Sequence, residues 1–194
     1  EINGQKVWIS RVQHSDLMIL LARTTPLSEV KKKSQGLSIF MVNLKEAIGN
    51  GMEVRPIANM PGHETNEVFF DNLEIPAENL IGKEGDGARI LMSGLDYERT
   101  VLSGGPVGIM QACIDEVLPY LHTREQFGQP IGTFQLMQGK LADMYADLNA
   151  CRAYLYAVAA ACDRGEETRQ DCAAVILYTA EKATQLALEA IQAL

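Results

Sequence analysis

Gly87-Ala-Arg-Ile-Leu-Met-Ser-Gly-Leu-Asp-Tyr-Glu-Arg-Thr-Val-Leu-Ser103 is the stretch at which the chain changes its period. Before it, short apolar runs alternate with turn residues; from it onward, apolar residues recur every three to four positions, which is helical spacing. Wound at about 100° per residue, Leu91, Leu95, Glu98 and Leu102 fall within roughly 60° of one another, so a carboxylate sits inside an apolar stripe. Its helical neighbours at three and four positions are Gly94, Leu95, Val101 and Leu102, none of them basic. No local ion pair therefore accounts for Glu98. Two readings stay open. Burial without a partner would raise its pKa toward that of a working general base; alternatively, the helix has a second, wet face and Glu98 points into it.

Downstream, Gly104-Gly105-Pro106 kinks or breaks the helix, with Pro106 suited to a first helical position. The continuation carries Ile109, Met110, Cys113, Ile114, Val117, Leu118 and Leu121. After a loop over 124–132, a long helix runs through Leu136, Leu141, Met144, Leu148, Cys151, Leu155 and Val158 to about Gly165. Thr168 and Asp171 form a capping pair that opens a last helix through Val175, Ile176, Ala180, Ala183, Ala187 and Ile191. Four apolar faces with short connections predict an up-and-down four-helix bundle.

Upstream, residues 6–10, 17–22, 37–42, 52–57 and 67–70 read as strands bounded by Asn3-Gly4, Gly36, Gly49-Asn50-Gly51 and Pro61-Gly62. Residues 24–35 are a long polar loop and 73–87 a Pro/Gly-rich linker. The expected fold is α+β, an antiparallel β domain over 1–80 followed by the helical domain over 81–194.

Composition narrows the function. The 194 residues are 47% hydrophobic with a net charge of −8, and no apolar run suffices to span a bilayer. This acidity argues against nucleic acid as a partner, and Lys31-Lys32-Lys33 reads as a solvated loop. Cys113, Cys151, Cys162 and Cys172 lack C-x-x-C spacing and read as free thiols of a reducing compartment; His14, His63 and His122 form no ligand pattern, so no metal is expected. The chain opens without Met and stops inside a helical run at Leu194, as an excerpt would.

Other side chains admit both a chemical and a plain reading. Asp96 and Arg99, off the apolar stripe, are an acid and a base able to grip a charged ligand, or an exposed pair. Arg124, ahead of Phe127-Gly128, presents a guanidinium fork suited to phosphate, although arginine in a loop is common. In Val7-Trp8-Ile9-Ser10, alternation puts Trp8 and Ser10 on one face, able to stack on a flat ring and bond its edge, unless Trp8 is core. No Gly-rich phosphate loop, nucleophile elbow or zinc signature is present.

Several motifs together resemble the acyl-CoA dehydrogenases: Gly4-Gln-Lys-Val-Trp-Ile-Ser10, Glu67-Val-Phe-Phe-Asp71 with Ile75-Pro76 and Asn79-Leu-Ile-Gly82, Asp96-Tyr-Glu-Arg99, Arg124-Glu-Gln-Phe-Gly128 and Phe134-Gln135. Residues 87 to 192 most resemble the isovaleryl branch, notably Leu91-Met-Ser-Gly-Leu-Asp-Tyr-Glu-Arg99 and Phe134-Gln-Leu-Met-Gln-Gly-Lys140. The resemblance implies FAD-dependent α,β-dehydrogenation of a short branched acyl-CoA, with Glu98 as the base that takes the α-proton while the β-hydrogen leaves as hydride to the flavin. It further implies Asp96, Arg99, Ser34 and Gln35 along the CoA part, Trp8, Ile9 and Ser10 beside the isoalloxazine ring, and Arg124 and Gln135 reaching FAD in a neighbouring subunit. Electron-transferring flavoprotein as acceptor, a homotetramer, and a cytoplasmic (bacterial) or mitochondrial matrix (eukaryotic) location follow from the same resemblance. The stretch alone, lacking other parts of such enzymes, is expected to be inactive. Arg11-Val12 and Met60-Pro61-Gly62 depart from the family's usual residues, which leaves a longer or straight acyl chain as an alternative, and a non-catalytic helical-bundle module as another.

Overall fold

The computed structural model describes residues 1–60 and 64–194; Pro61-Gly62 and His63 lie outside the described residues. Contacts divide the chain into two units, Glu1–Ser93 and Gly94–Leu194.

In the first unit, β1 (Ile2–Ser10), β2 (Leu17–Arg23), β3 (Leu37–Asn43), a one-turn helix α1 (Leu44–Ala47), β4 (Met52–Ile57), β5 (Thr65–Leu73) and β6 (Leu80–Ile81) follow in order. They form two three-stranded sheets, ordered β1-β5-β4 and β2-β3-β6, and every pairing is antiparallel. The period of two is plain on β5, where Asn66, Val68 and Phe70 are buried while the residues between them are partly open. Val68 and Phe70 join Val12, Leu20, Val42 and Met52, so side chains from both sheets share one core.

Two parts of this unit differ from the sequence expectation. The linker after β5 is not bare: it carries β6, which pairs Leu80 with Phe40 and Ile81 with Ile39, while Asn79 Nδ2 donates to the Met41 carbonyl. A two-residue strand leaves no period for a sequence to show. The long polar loop is also built rather than loose, because the Arg23 guanidinium donates to the carbonyls of Thr25, Lys33 and Gln35 and so closes it.

The second unit holds α3 (Gly104–Thr123), the tight hairpin β7 (Glu125–Gln126) and β8 (Gln129–Pro130), α4 (Gln135–Arg164) and α5 (Arg169–Ala193). The helix before them, α2 (Gly87–Leu102), crosses the division between the units. The predicted break costs one residue: Ser103 alone leaves the helical pattern, and Gly104, Gly105 and Pro106 lie in the first turn of α3, where a missing N–H is harmless. Thr168 caps α5 by accepting from the Asp171 amide and donating to its carboxylate.

The apolar core of this unit comes from three helices. Val107, Met110, Ile114, Val117 and Leu121 of α3 meet Met144, Leu148, Cys151, Leu155 and Val158 of α4 and Cys172, Val175, Ala183, Leu186 and Ala190 of α5. From α2 no side chain joins that buried apolar cluster. The fold is thus α+β, with four helices longer than one turn among the described residues, one of them held differently from the rest. Leu136, Ile109, Leu118 and Ile191, expected on inward faces, are exposed. Among the described residues, no helix is long and apolar enough to cross a membrane.

Candidate active site

On the α2 turns within the helical unit, the structure decides which face carries Glu98. Leu102 is exposed, as are Val101 and Glu98, and Leu95 is only partly covered. The buried edge instead carries Thr100, which is 5% exposed, and Ser103, with Asp96 largely covered. Of the two readings left open above, the structure shows the second: the stripe faces away from the core, and Glu98 stands among leucines on the open side. Helical spacing reports that an apolar stripe exists, not on which side its neighbours lie.

Asp96 and Arg99 are joined by a hydrogen bond of 3.1 Å from Nη1 to Oδ1, and Asp96 Oδ2 lies 3.7 Å from Arg169 Nε. The plain reading of an exposed pair fails, since both side chains are mostly covered. Beside them, Tyr97 has its ionisation pushed up, chiefly by the Glu167 carboxylate that its hydroxyl faces. One oxygen of Glu167, Oε2, is buried without a hydrogen-bond partner. Thr100 donates to the Asp96 carbonyl at 3.0 Å and sits 3.7 Å from Cys162 Sγ.

Arg124 immediately precedes the β7–β8 hairpin, and Gln135 follows it after the one-turn 3-10 segment Ile131–Thr133. Arg124 is the C-cap of α3, its carbonyl accepting from the Ile131 amide at 2.8 Å, and Gln135 opens α4. Both side chains are exposed. Phe127 at the hairpin tip has φ of 53° and meets Phe134 edge to face at 6.1 Å.

In the sheet unit, Trp8 is not core; it is 68% exposed. A bulge between Lys6 and Ile9 sets two residues of β1, Val7 and Trp8, against one of β5, and Trp8 takes φ of 62°. Ile9 turns toward the core while Ser10 and Trp8 stay in the open. The buried Asn66 holds this stretch by donating to the Ile9 carbonyl and exchanging hydrogen bonds with Gln13. Gln35 is committed to its own loop, its Oε1 accepting from the amides of Lys31 and Lys32, and Ser34 beside it is exposed. A cleft of about 740 Å³ in this unit, lined by Gln5, Leu21, Arg23, Phe40, Phe70 and Ile75 among others, contains none of the site residues expected from the sequence.

Asn66, Gln13, Glu167 and Arg169 carry no signal in the sequence, because each acts on a partner far along the chain and belongs to no motif. Only the buried position of Asn66 in the alternation of β5 marks it as a polar group in need of partners.

Family comparison now bears on these groups. Residues 1–73 match the model of the acyl-CoA dehydrogenase middle domain and residues 85–194 that of the acyl-CoA dehydrogenase C-terminal domain. The chain belongs to the acyl-CoA dehydrogenase family. Mitochondrial isovaleryl-CoA dehydrogenase of Pongo abelii is 50% identical over 191 residues, covering 98% of this chain and 45% of that protein. Mitochondrial 2-methylacyl-CoA dehydrogenase of Solanum tuberosum is 47% identical over 193 residues, 100% of this chain and 46% of its own length. A glutaryl-CoA dehydrogenase solved as its glutaryl-CoA complex superposes with a TM-score of 0.90 at 34% identity, over 98% of this chain and 48% of the other. The acyl-CoA dehydrogenase chain thus spans about half the length of the curated relatives it matches.

Proposed function

We propose that this chain carries the proton-abstracting and part of the flavin-binding machinery of an FAD-dependent dehydrogenase for short branched acyl-CoA thioesters, isovaleryl-CoA above all. The observation that carries the reading is Glu98, a carboxylate held on the open side of α2 among Leu91, Leu95 and Leu102. Those leucines suit a short aliphatic acyl chain, and the carboxylate beside them would take a proton from the carbon next to the thioester carbonyl. Because Glu98 is exposed, the loss of water that sharpens a carboxylate base must come from the bound acyl chain covering the stripe. Asp96 and Arg99 would meet the CoA part, with Ser34 and Gln35 along it.

The residues present fit a flavin: Trp8 offers an open aromatic face with the Ser10 hydroxyl on the same strand, and Arg124 and Gln135 are both exposed, one with a guanidinium and one with an amide. Trp8, Ile9 and Ser10 would border the ring, while Arg124 and Gln135 would hold phosphate of FAD in a neighbouring subunit of a homotetramer. Bound FAD would supply the acceptor for the β-hydrogen, with electrons passing on to electron-transferring flavoprotein. A 2-methyl-branched acyl group is the second reading, favoured by the 47% identity to the Solanum tuberosum relative.

The test is anaerobic bleaching, by a panel of thioesters, of a flavin-loaded protein that carries this stretch at the full length of its relatives. Isovaleryl-CoA should reduce it fastest, straight chains of eight or more carbons at least about tenfold slower, since misfit of an apolar chain costs on the order of 1–3 kcal/mol. Equal rates across the panel would refute the substrate assignment.

A further inference from the structure

We infer that the corner between α4 and α5 positions Glu98, gripping the edge of α2 that lies opposite the carboxylate and so fixing the direction in which it points. The inference rests on the role proposed for Glu98 as base. On a helix advancing about 100° per residue, Asp96, Thr100 and Ser103 lie roughly 140–200° from Glu98. Thr100 and Ser103 are the buried positions of this segment, and Asp96 is the most covered of its charged side chains. Arg169, at the first turn of α5, reaches Asp96 at 3.7 Å. Cys162, in the last turn of α4, reaches Thr100 at 3.7 Å, and Glu167, in the connection between the two helices, faces the Tyr97 hydroxyl.

This grip is unlike the packing elsewhere in the unit. From α2 no side chain enters the apolar cluster, so its rotation is set by an ion pair, a hydroxyl–thiol contact and a carboxylate, each with a direction. A single rotation of the helix satisfies all three, and it aims Glu98 away from the core. With its Arg169 side open to water and a separation of 3.7 Å, this ion pair adds little to stability, so removing it disturbs aim more than folding. Misplacement of a reacting group by about 1 Å can cost on the order of 100-fold in rate.

The experiment compares Arg169→Ala with Thr100→Val, together and apart, and Arg169→Lys, in the flavin-loaded protein that carries this stretch at the full length of its relatives, with isovaleryl-CoA. The double variant should lose about tenfold or more in kcat while KM changes less than about threefold, and Arg169→Lys should retain most of the wild-type kcat. Amide exchange at residues 96–100 should quicken in the double variant while that of α3 stays unchanged. A double variant with kcat within twofold of wild type, or with unchanged exchange at 96–100, overturns the inference. So does a loss of kcat that tracks a fall in Tm and is as large in Arg169→Lys. Glu98→Gln is the control: if it is slow while the double variant is fast, the clamp fails and the base stands; if Glu98→Gln is as fast as wild type, the base and the clamp fall together.

Discussion

The two successive helices α2 and α3, separated by one residue, are both striped with apolar side chains, yet one buries its stripe and the other shows it. Met110 of α3 is 0% exposed, whereas Leu102 of α2 is 55% exposed. The contrast teaches that an amphipathic period specifies a face and leaves open what covers it. In α3 the face is covered by α4 and α5. In α2 the core-facing edge is polar, and the apolar face, with Glu98 at its middle, stays open.

The sharpest way to break this contrast is at Met110. Met110→Ala should cost about 2–5 kcal/mol of stability through lost burial and an unfilled cavity, read from denaturant unfolding. A cost below about 1 kcal/mol would mean that α3 is no better buried than α2. A second, smaller effect belongs to the other polar-held segment, the bulge of β1. Asn66→Ala should destabilise the sheet unit by about 1–3 kcal/mol, because the Ile9 carbonyl and Gln13 lose their partner. It should also change Trp8 fluorescence in the folded state; an unchanged emission maximum would show that Asn66 does not hold the bulge.

Much of the fold was legible. Alternation on residues 67–70 and the turn residues around them marked β5 within two or three positions, and Thr168 with Asp171 marked the start of α5. The two-residue β6 and the hairpin β7–β8 are too short to carry a period. The site was legible unevenly. Glu98 stood out because a carboxylate inside an apolar stripe is locally anomalous, but its exposure depends on where α4 and α5 lie. Arg169 and Glu167 could not be foreseen, since an ion pair between residues 96 and 169 leaves no mark on either stretch. The bulge at Trp8 was hidden as well, because strict alternation had already placed Trp8 and Ser10 on one face.

A smaller effect should appear in alkali. Burial pushes the thiols of Cys151 and Cys172 above their ordinary pKa, so the folded helical unit keeps them neutral. Below the ordinary thiol value both states are protonated and stability is unaffected; above it the unfolded chain ionises first, and stability falls as pH rises. Lys182, raised by its hydrogen bond to Asp147, loses its contribution in the same direction at higher pH. Tm should therefore hold level to about pH 9 and decline above it, with Cys151→Ala/Cys172→Ala flattening the decline. An unchanged slope in that variant would remove the thiols as its source. The smallest effect is expected at Leu102, where Leu102→Ala should shift stability by no more than about 0.5 kcal/mol. A core-sized loss there would show the open face of α2 to be covered after all.

The central claim is that the carboxylate on the open face of α2 is the base. Rapid mixing of the flavin-loaded protein that carries this stretch at its relatives' full length with isovaleryl-CoA, without oxygen, measures it most directly. Glu98→Gln should bind the thioester as wild type does and bleach the flavin slower by a factor on the order of 10² or more. Bleaching within threefold of the wild-type rate would contradict the account.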